Sequence, residues 1–301
     1  MRFLRFIGTL FAASVIIFLL MRAVPGNPAR VALGVNATEE AVETLTHSMG
    51  LDRPLLVQYV EWMKGLLTGN FGISLSSQQD ITPLVLDRAQ VTLLLICLAI
   101  ALALAGAIPM GILLARFRLP VLNAATQLGI AVPSFLVGIL LVAVFSVHLG
   151  WLPANGWQLP REGLSHLVLP VISLALVQGA MLTRYVRATL MEEMGKDYIR
   201  TARSLGESRT GALIRHGLRN AALPVLTVTG VQLSTLVVGA VVIENVFVIP
   251  GLGSMLLDAV STRDLITVQT LIMVFVTFTL TVNLLTDLAY RVIDPRLKEA
   301  R

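Results

Sequence analysis

The residues that most often carry out chemistry are few in this 301-residue chain, and they lie far apart. The histidines form no His-Glu-x-x-His pair, which argues against a zinc hydrolase. They are His47, His148, His166 and His216. The single cysteine, Cys97, lies within an apolar run, so we predict neither a disulfide framework nor a thiol metal cluster. The sequence therefore predicts no metal site.

Nucleotide and acyl-transfer chemistry are equally unsupported. Gly195-Lys196 is the only Gly-Lys pair; Asp197 follows it, and the upstream glycine of a phosphate-binding loop is missing. No Ser/His/Asp arrangement stands out by its spacing. We therefore expect no catalytic residue, no P-loop and no cofactor in this chain, and we predict that it is not an enzyme.

Polar side chains inside the apolar runs form a second group of candidates. Burying them unpaired in a membrane is costly, so they often mark a transport pathway. The candidates for lining such a pathway are Gln178, Gln232, Glu244, Asn245, Asn283 and Asp287. Glu244 lies toward the end of its run, where it could meet a peptide amino group or a nickel ion, or simply face solvent.

The composition is that of a polytopic membrane protein. Hydrophobic residues make up 55% of the chain and charged residues 14%, with a mean hydropathy of +0.80. Six apolar runs each approach the roughly 20 residues that span a hydrocarbon core. They cover about 6–24, 91–115, 128–147, 167–183, 225–248 and 266–290. The first run is too long for a signal peptide and lacks a cleavage site, so we interpret it as a transmembrane helix.

Residues 25–88 form the one sizeable polar region. Thr38 is predicted to cap a short helix, and an amphipathic helix is predicted from about Pro54 to Leu67. Gly69-Asn70-Phe71-Gly72 is predicted to be a turn. Within the apolar runs, Pro109 and Pro133 are predicted to kink their helices.

The segment from Arg184 to Asn220 is strongly basic. It holds eight Lys or Arg against four acids. Each basic residue at the centre of a membrane helix costs roughly 2.5 to 3.5 kcal/mol, so this segment cannot cross a bilayer. It is predicted to be an aqueous loop between two spans.

The loop is nevertheless helical in its pattern. Ile199, Ala202 and Leu205 recur at intervals of three. Gly206 is predicted to end this first helix, and Ser208 to cap a second one. Pro224 is predicted to stand where the next membrane helix begins, a position that tolerates its missing N–H.

The stretch DYIRTARSLG, followed by RHGLRNAALP, resembles the cytoplasmic EAA loop of ABC-transporter permeases from the dipeptide, oligopeptide and nickel importers. The matching residues are Asp197, Tyr198, Ile199, Arg200, Thr201, Ala202, Arg203, Gly206, Arg215, His216, Leu218, Arg219, Asn220, Ala221 and Pro224. Arg200 and Thr201 depart from the general Glu-Ala-Ala pattern in a way that is typical of the peptide and nickel branch.

Shorter motifs extend this resemblance over nearly the whole chain. In chain order they are Pro25-Gly26-Asn27-Pro28, Gly69-Asn70-Phe71-Gly72, Val132-Pro133-Ser134-Phe135, Gly150-Trp151-Leu152-Pro153, His166 to Pro170, Glu244-Asn245-Val246-Phe247, Pro250-Gly251-Leu252-Gly253 and Asp294-Pro295-Arg296. Their order and spacing together are far more specific than any one of them.

The resemblance implies an all-α polytopic membrane protein with six transmembrane helices in the type I ABC importer fold. Its expected parts are an N-terminal transmembrane helix (1–24), an extracytoplasmic segment with short helices (25–88), a core of five helices (89–290) that contains the cytoplasmic coupling loop (184–224), and a cytoplasmic tail (291–301).

The distribution of charge predicts the orientation. Outside the spans, alternate connecting segments carry 16 Lys or Arg on one side and 6 on the other. Positive charge concentrates in the cytoplasm, so both termini and the basic loop are predicted to be cytoplasmic. The predicted location is the bacterial cytoplasmic membrane. The net charge of +5 sits in short loops beside spans, so nucleic acid is not an expected partner.

The resemblance also implies that transport is driven by ATP and requires partner subunits. In such importers, two separate cytoplasmic ATPase subunits bind ATP and Mg²⁺, and a substrate-binding protein docks outside. A second, paralogous permease subunit completes the pathway. By the same resemblance, Tyr198, Ile199, Ala202, Leu205 and Gly206 would form the ATPase contact, near Asp197 and Thr201, with Arg200 and Arg203 at its rim. The alternative is that they pack the loop against its own helices.

A second cluster comprises Arg215, His216, Arg219 and Asn220. It is expected either to cap and support the loop or to transmit motion into the fifth span. The function implied is ATP-driven import of small peptides through half of a shared pathway. Alternatives are import of nickel or another small solute by the same machinery or, in a different class, a secondary transporter or channel.

Overall fold

A computed structural model describes residues 2–34, 37–157 and 163–293 of the chain. The Asp294-Pro295-Arg296 motif lies outside these ranges. The described helices are α1 (Arg2–Ala23), α2 (Pro28–Leu33), α3 (Glu39–Ser48), α4 (Leu55–Thr68), α5 (Thr82–Arg116), α6 (Pro120–Ala131), α7 (Ser134–Leu141), α8 (Gly163–Glu193), α9 (Asp197–Ser204), α10 (Arg209–Ala212), α11 (Leu218–Val246), α12 (Leu252–Ser261) and α13 (Leu265–Ile293). Among these residues the only β pairing is an isolated bridge between Ile73 and Asp80.

Five helical stretches of the described chain are long and apolar enough to cross a membrane: Phe3–Ala23, Thr82–Arg116, Leu164–Glu193, Arg209–Val246 and Leu265–Tyr290. The pair Pro120–Ala131 and Ser134–His148 makes a sixth if the two bent halves form one span. The all-α fold is thus confirmed, with five or six candidate spans, and the predicted third span is the one that is bent.

The break lies at Pro133, where the sequence predicted only a kink. The two halves differ in direction by 105°. Val132 has extended backbone angles, φ −90° and ψ 124°, because the ring of the following proline disfavours the helical region at that position. The helix that contains the predicted start of this span, residue 128, begins earlier, at Pro120. Beyond α7, residues Val142–His148 continue as a π-helical turn.

The helices reach well beyond the apolar runs. The fourth span was expected to end near residue 183, but α8 continues to Glu193 and carries Arg184 and Arg187 on its last turns. Hydropathy measures only where the hydrocarbon ends, whereas backbone hydrogen bonding continues the helix into water. Within the predicted aqueous segment 184–224, the part that connects the two long helical stretches is therefore only residues 194–208.

Pro224 lies inside a helix and not at its beginning. From Arg209 the helical stretch is continuous to Val246, with a π-helical turn at Leu213–Gly217. The predicted cap is confirmed, because Ser208 Oγ accepts a hydrogen bond from the Gly211 N–H at 3.0 Å. The helix thus starts 15 residues before Pro224, and proline is tolerated within it despite its missing N–H.

The chain forms two compact units. The first comprises described residues within Met1–Thr92 and Pro250–Thr281, and the second those within Leu93–Ile249 and Val282–Arg301. In the first unit, Thr38 caps α3 as predicted, through a bond from the Ala41 N–H. The helix predicted from Pro54 is α4, and Gly69 ends it in the left-handed conformation.

An aromatic face joins α1 to α4 in the first unit. Ser14 Oγ lies 2.8 Å from the Tyr59 hydroxyl, one turn before Phe18. The ring of Phe18 lies 5.4 Å from that of Tyr59 and 6.2 Å from that of Trp62. One turn later, the Arg22 guanidinium stands 5.0 Å above the Phe18 ring. These residues lie on one side of α1, at helical spacing.

A buried carboxylate ties the 73–80 turn to the start of α13 in the same unit. Asp264 is 2% exposed. Its oxygens accept hydrogen bonds from Ser74 Oγ at 2.5 Å and from the Leu75 N–H at 3.1 Å. They also accept the Thr267 N–H at 3.2 Å and the Thr267 hydroxyl at 2.7 Å. A buried charge is stable here because donors surround it.

Small residues allow close helix packing in the second unit. A Cβ at Gly230 would lie 2.3 Å from Thr286 Oγ1, and one at Gly111 would lie 2.5 Å from Val186. A Cβ at Gly138 would lie 2.9 Å from the Phe247 ring. Glycine at these points lets helices approach closely, as is common between membrane helices.

We predict that Asp264→Ala destabilises the protein. Five donated hydrogen bonds lose their acceptor, including a long one from Ser76 Oγ at 3.4 Å. Hydrogen bonds to a charged group contribute about 1.5 to 3 kcal/mol, so unfolding should become easier by roughly 3 kcal/mol. That corresponds to a fall of roughly 6 °C or more in melting temperature, measured on purified protein in detergent. Asp258→Ala on the exposed side of α12 is the matched control. Equal melting temperatures for the two variants would contradict this account of Asp264.

Candidate coupling site and transport-path residues

The predicted coupling segment contains a short, well-bounded helix. Helix α9 begins after Lys196, whose backbone is extended, and has Asp197 in its first turn, where a negative charge is favourable. Gly206 has φ +93° and follows the last turn, as the sequence predicted. The helix presents one apolar side and one side of arginine and hydroxyl groups.

The apolar side of α9 packs largely within this chain. Ile199 is 2% exposed, and Tyr198 and Ala202 are half-buried. Leu205, at the end of the helix, is 83% exposed, and Gly206 is exposed beside it. Asp197, Arg200, Thr201 and Arg203 are exposed as well. The predicted contact surface is therefore divided: Ile199 supports the loop from inside, and Leu205 is the large apolar side chain that remains outside.

Glu193, which sequence reasoning did not single out, holds α9 in place. It is the last residue of α8, and its side chain is 7% exposed. One carboxylate oxygen accepts a hydrogen bond from the Tyr198 hydroxyl, and the other pairs with the Lys196 ammonium. The neighbouring Glu192 is 75% exposed and lies 3.9 Å from the same ammonium. We call Glu193, Lys196 and Tyr198 the Glu193 cluster.

The two titratable partners of Glu193 both have raised pKa values. For Lys196, the hydrogen bond to Glu193 raises the pKa above its ordinary 10.5. For Tyr198, burial raises the pKa above 10.0, the bond to Glu193 adds to the rise, and a hydrogen bond with Asn220 opposes it. A raised pKa favours the protonated form in the folded state, so the contribution is complete at neutral pH and is lost only as pH rises through the raised values.

The second predicted cluster lies around another acid, Glu207. Arg215 Nη1 is 3.4 Å from Glu207 Oε1, and His216 Nε2 is 3.2 Å from Oε2 without the alignment of a hydrogen bond. Arg219 and Asn220 are exposed. Through Asn220 and Tyr198, the structure brings the second segment against the first.

An apolar cluster supports both segments. Val186 and Leu190 on α8 pack with Leu213 on the π-helical turn and with Ala221 on α11, and all four are buried. This packing fixes the end of α8 and the start of the α10–α11 stretch, the two elements that carry the Glu193 cluster and Asn220. The predicted coupling residues therefore stand on a buried apolar base.

Some of the predicted transport-path residues join α8 to α11. Gln178 Nε2 lies 3.4 Å from Thr235 Oγ1, which lies 3.4 Å from Gln232 Oε1. The amide nitrogen of Gln232 also contacts the Met181 sulfur. Gln232 is buried within this chain, whereas Gln178 is half-buried.

The remaining predicted path residues lie apart from that chain of contacts. Asn283 is exposed on α13 and lies 3.5 Å from Ser234 Oγ, and Asp287 is exposed one turn further on. Asn245 is exposed at the end of α11. Glu244 was expected to meet a ligand or solvent, but it is fully buried. Only Gln178, Asn245, Asn283 and Asp287 among these candidates leave surface uncovered by the described residues of this chain.

The roles of Glu193 and Glu207 were difficult to predict from the sequence. Each is an acid beside an arginine-rich stretch, which resembles ordinary surface charge. Glu193 was recognisable only by its place at the end of an amphipathic turn, five residues before Tyr198. Among the described residues, no three His, Cys, Asp or Glu side chains are grouped as metal ligands would be.

Comparisons with known proteins agree with this architecture. The family described as "Binding-protein-dependent transport system inner membrane component" matches residues 107–299, and the N-terminal part of such membrane components matches residues 1–96. The solved structure described as "Crystal structure of an amino acid ABC transporter with histidines" has the same fold, with a TM-score of 0.55 and 19% identity. The matched region covers 70% of this chain and 94% of the chain in that solved structure.

Two curated relatives match over almost their full length. The "Glutathione transport system permease protein GsiC" of Escherichia coli strain K12 is 37% identical, covering 99% of this chain and 97% of that protein. The "Probable peptide ABC transporter permease protein y4tP" of Sinorhizobium fredii is 35% identical, covering 97% and 96%. The chain, a multi-pass inner-membrane protein, therefore belongs to the family of binding-protein-dependent transport system inner membrane components, the permease subunits of ABC importers.

Proposed function

We propose that this permease imports small peptides, driven by ATP that is hydrolysed on separate subunits. The observation that carries the coupling part of this proposal is α9, a short helix that is held by Glu193 and presents Leu205 outward. The peptide part rests on the relatives, which are named for peptide and for glutathione transport. Glutathione is itself a small peptide, so the two names describe one substrate class.

The proposed orientation has both termini and α9 in the cytoplasm. It rests on the excess of Lys and Arg in the segments on that side, 16 against 6. In this orientation the 25–88 segment is extracytoplasmic, where a substrate-binding protein would dock.

The partners proposed are two ATPase subunits, one second permease and that binding protein, with ATP and Mg²⁺ bound by the ATPases. Leu205 would enter a groove of one ATPase, and Arg200 and Arg203 would steer the encounter from the rim. Closure of the ATPases would then move α9, and Glu193 and Asn220 would pass the motion to α8 and α11. Gln178, Asn245 and Asn283 are proposed to face the shared pathway, which needs the second permease to close it.

The whole proposal is tested by purifying the tagged chain from native membranes and reconstituting what co-purifies in liposomes. We expect an ABC ATPase and a second permease to accompany it. Uptake of a labelled dipeptide or of glutathione should require ATP and the binding protein. If nickel is taken up and neither peptide is, the substrate is a metal ion and not a peptide. A chain that purifies alone and transports without ATP would be a secondary transporter or channel.

We predict that Leu205→Asp releases the ATPase subunits. Burying a leucine contributes about 1.5 to 3 kcal/mol, so its replacement by a charge should weaken the contact by roughly ten-fold or more. The measurement is the amount of ATPase retained in a pull-down. Leu67→Asp on α4 is a matched control, because Leu67 is 82% exposed and lies in the 25–88 segment. If both variants retain the same amount of ATPase, Leu205 is not part of the ATPase contact.

We predict that Glu193→Gln uncouples transport from ATP hydrolysis. The substitution removes the charge that pairs with Lys196 and weakens the bond to Tyr198, so α9 is held less firmly. ATP-driven uptake should fall by about ten-fold, the effect of losing roughly 1.4 kcal/mol, while ATPase binding persists. Glu192→Gln, which alters an exposed carboxylate next to it, should leave uptake unchanged. A loss that is equal in both variants would contradict a specific role for Glu193.

The pKa directions add a pH test for the same cluster. Because the pKa values of Lys196 and Tyr198 are raised, coupling in the wild type should not change between about pH 6 and 9, the range below both ordinary values. It should decline only under strongly alkaline conditions. The ratio of uptake to ATP hydrolysis, measured against pH, checks this expectation. A decline beginning near pH 7 would mean that a different group controls coupling.

A further inference from the structure

An apolar cavity of about 430 Å³ lies in the first unit, where one candidate span ends and another begins. Met21 and Val24 line it from the end of α1, and Leu265 and Val268 line it from the first turn of α13. Val260 adds a further apolar side chain from the last turn of α12. Because it lies between the ends of two spans, the cavity is at the depth where the hydrocarbon of a bilayer gives way to headgroups.

Arg263 is the one charged residue among the described residues that line this cavity. Its side chain is exposed, and its guanidinium forms neither an ion pair nor a hydrogen bond with any residue that the structure describes. It stands two residues before the span that begins at Leu265, so the guanidinium is at headgroup depth. The cavity thus combines apolar walls with an accessible cation at its polar end.

The backbone of Arg263 has the left-handed conformation that favours glycine, with φ +54°. The residue ends α12: its N–H donates to the Val260 carbonyl at 3.1 Å, and the Asp264 N–H donates to the Ala259 carbonyl at 2.8 Å. Glycine would occupy this cap at a lower free energy. A non-glycine residue that is held in such a conformation is a sign of a functional side chain, and here that side chain is free to bind a ligand.

The apolar wall of the cavity continues onto the surface of the same two helices. Val24 and Val260 are 42% and 54% exposed. Leu20 and Leu257, one helical turn before each of them, are exposed as well. Because the ends of the spans lie within a bilayer, an exposed apolar strip of this kind suits contact with a hydrocarbon chain.

We propose that this cavity binds an anionic phospholipid. One acyl chain would lie along the apolar strip and enter the cavity, and the phosphate would accept hydrogen bonds from the Arg263 guanidinium, whose planar donors suit phosphate oxygens. The described residues that line the cavity include no carboxylate to pair with a headgroup ammonium, so a headgroup of net negative charge is favoured over a zwitterionic one. A lipid bound in this way would join the end of α1 to the α12–α13 turn.

The test uses the purified importer complex, washed free of lipid in detergent, with lipid binding measured by native mass spectrometry. The probes are dioleoyl-phosphatidylglycerol, dioleoyl-phosphatidylethanolamine and dioleoylglycerol, which share their acyl chains and differ in the headgroup. We expect one site that binds phosphatidylglycerol about ten-fold or more tightly than dioleoylglycerol, because dioleoylglycerol lacks the phosphate that pairs with Arg263. Phosphatidylethanolamine should bind with intermediate affinity.

The first pair of variants is Arg263→Gly and Arg263→Gln, with Lys64→Gln as the control. Both Arg263 variants should weaken phosphatidylglycerol binding by about ten-fold or more. Arg263→Gly also relieves the backbone, so the lipid-free complex should melt no lower than the wild type, with a rise of about 2 °C. Lys64 is an exposed cation of the same unit that does not line the cavity, so Lys64→Gln should bind lipid like the wild type.

A second pair of variants tests the apolar wall. Val260→Phe places a larger side chain at the cavity and should reduce the tight binding of phosphatidylglycerol, although Arg263 is kept. Leu257→Phe is the matched control, because Leu257 is exposed one turn away on α12 and does not line the cavity. Its phosphatidylglycerol binding should equal that of the wild type.

Several results would overturn the proposal. Tight binding that persists in both Arg263→Gly and Val260→Phe would place the lipid elsewhere. Equal affinity for dioleoylglycerol would show that the phosphate is not recognised. A lower melting temperature of lipid-free Arg263→Gly would give the arginine a structural role instead. Displacement of the lipid by the dipeptide Leu-Leu would assign the cavity to substrate. None of these outcomes depends on ATP-driven uptake, so the proposed function is judged separately.

Discussion

The free energy of placing charge in hydrocarbon determines the plan of this chain. Eight Lys or Arg between residues 184 and 220 exclude that segment from the bilayer, and the apolar stretches on either side of it form spans. The same cost applies to buried acids. Asp264 is surrounded by hydroxyl and backbone donors, and Glu193 by a hydroxyl and an ammonium. Each buried charge thus becomes a point at which separate segments are fastened together.

Most of the architecture could be predicted because it follows from this cost and from local capping chemistry. The spans, the caps at Thr38 and Ser208 and the glycine end of α9 are present in the structure. The lengths of the helices could not be predicted in the same way. Hydropathy locates the hydrocarbon, but α8 continues past it to Glu193, and the stretch that contains α11 begins at Arg209. The effect of a proline on its helix also could not be predicted from the sequence. The helix axis changes direction sharply at Pro133, whereas Pro224 lies within a continuous helix.

The candidate site was predicted by position better than by side-chain role. Periodicity grouped Ile199 with Leu205, yet one is buried in this chain and the other is almost fully exposed. A spacing of three or four residues defines a face, but it does not say which other element covers that face. Glu193, in contrast, was not predicted at all. Its partners Lys196 and Tyr198 become neighbours only because the chain turns at Gly195. Such contacts depend on the conformation of the turn between α8 and α9, which the helical periodicity of the sequence does not describe.

The helical stretch from Arg209 to Val246 has a mechanical consequence. Its 38 residues correspond to a rod of about 57 Å at 1.5 Å per residue. If the rod tilted about a pivot near the π-helical turn at Leu213–Gly217, an angle of only about 5° would displace its far end by about 4 to 5 Å. Glu244 and Asn245 lie at that far end. Such a tilt needs no refolding of the helix. A small displacement of the end near Arg209 would become a lateral displacement at the Val246 end of about the width of one or two water molecules.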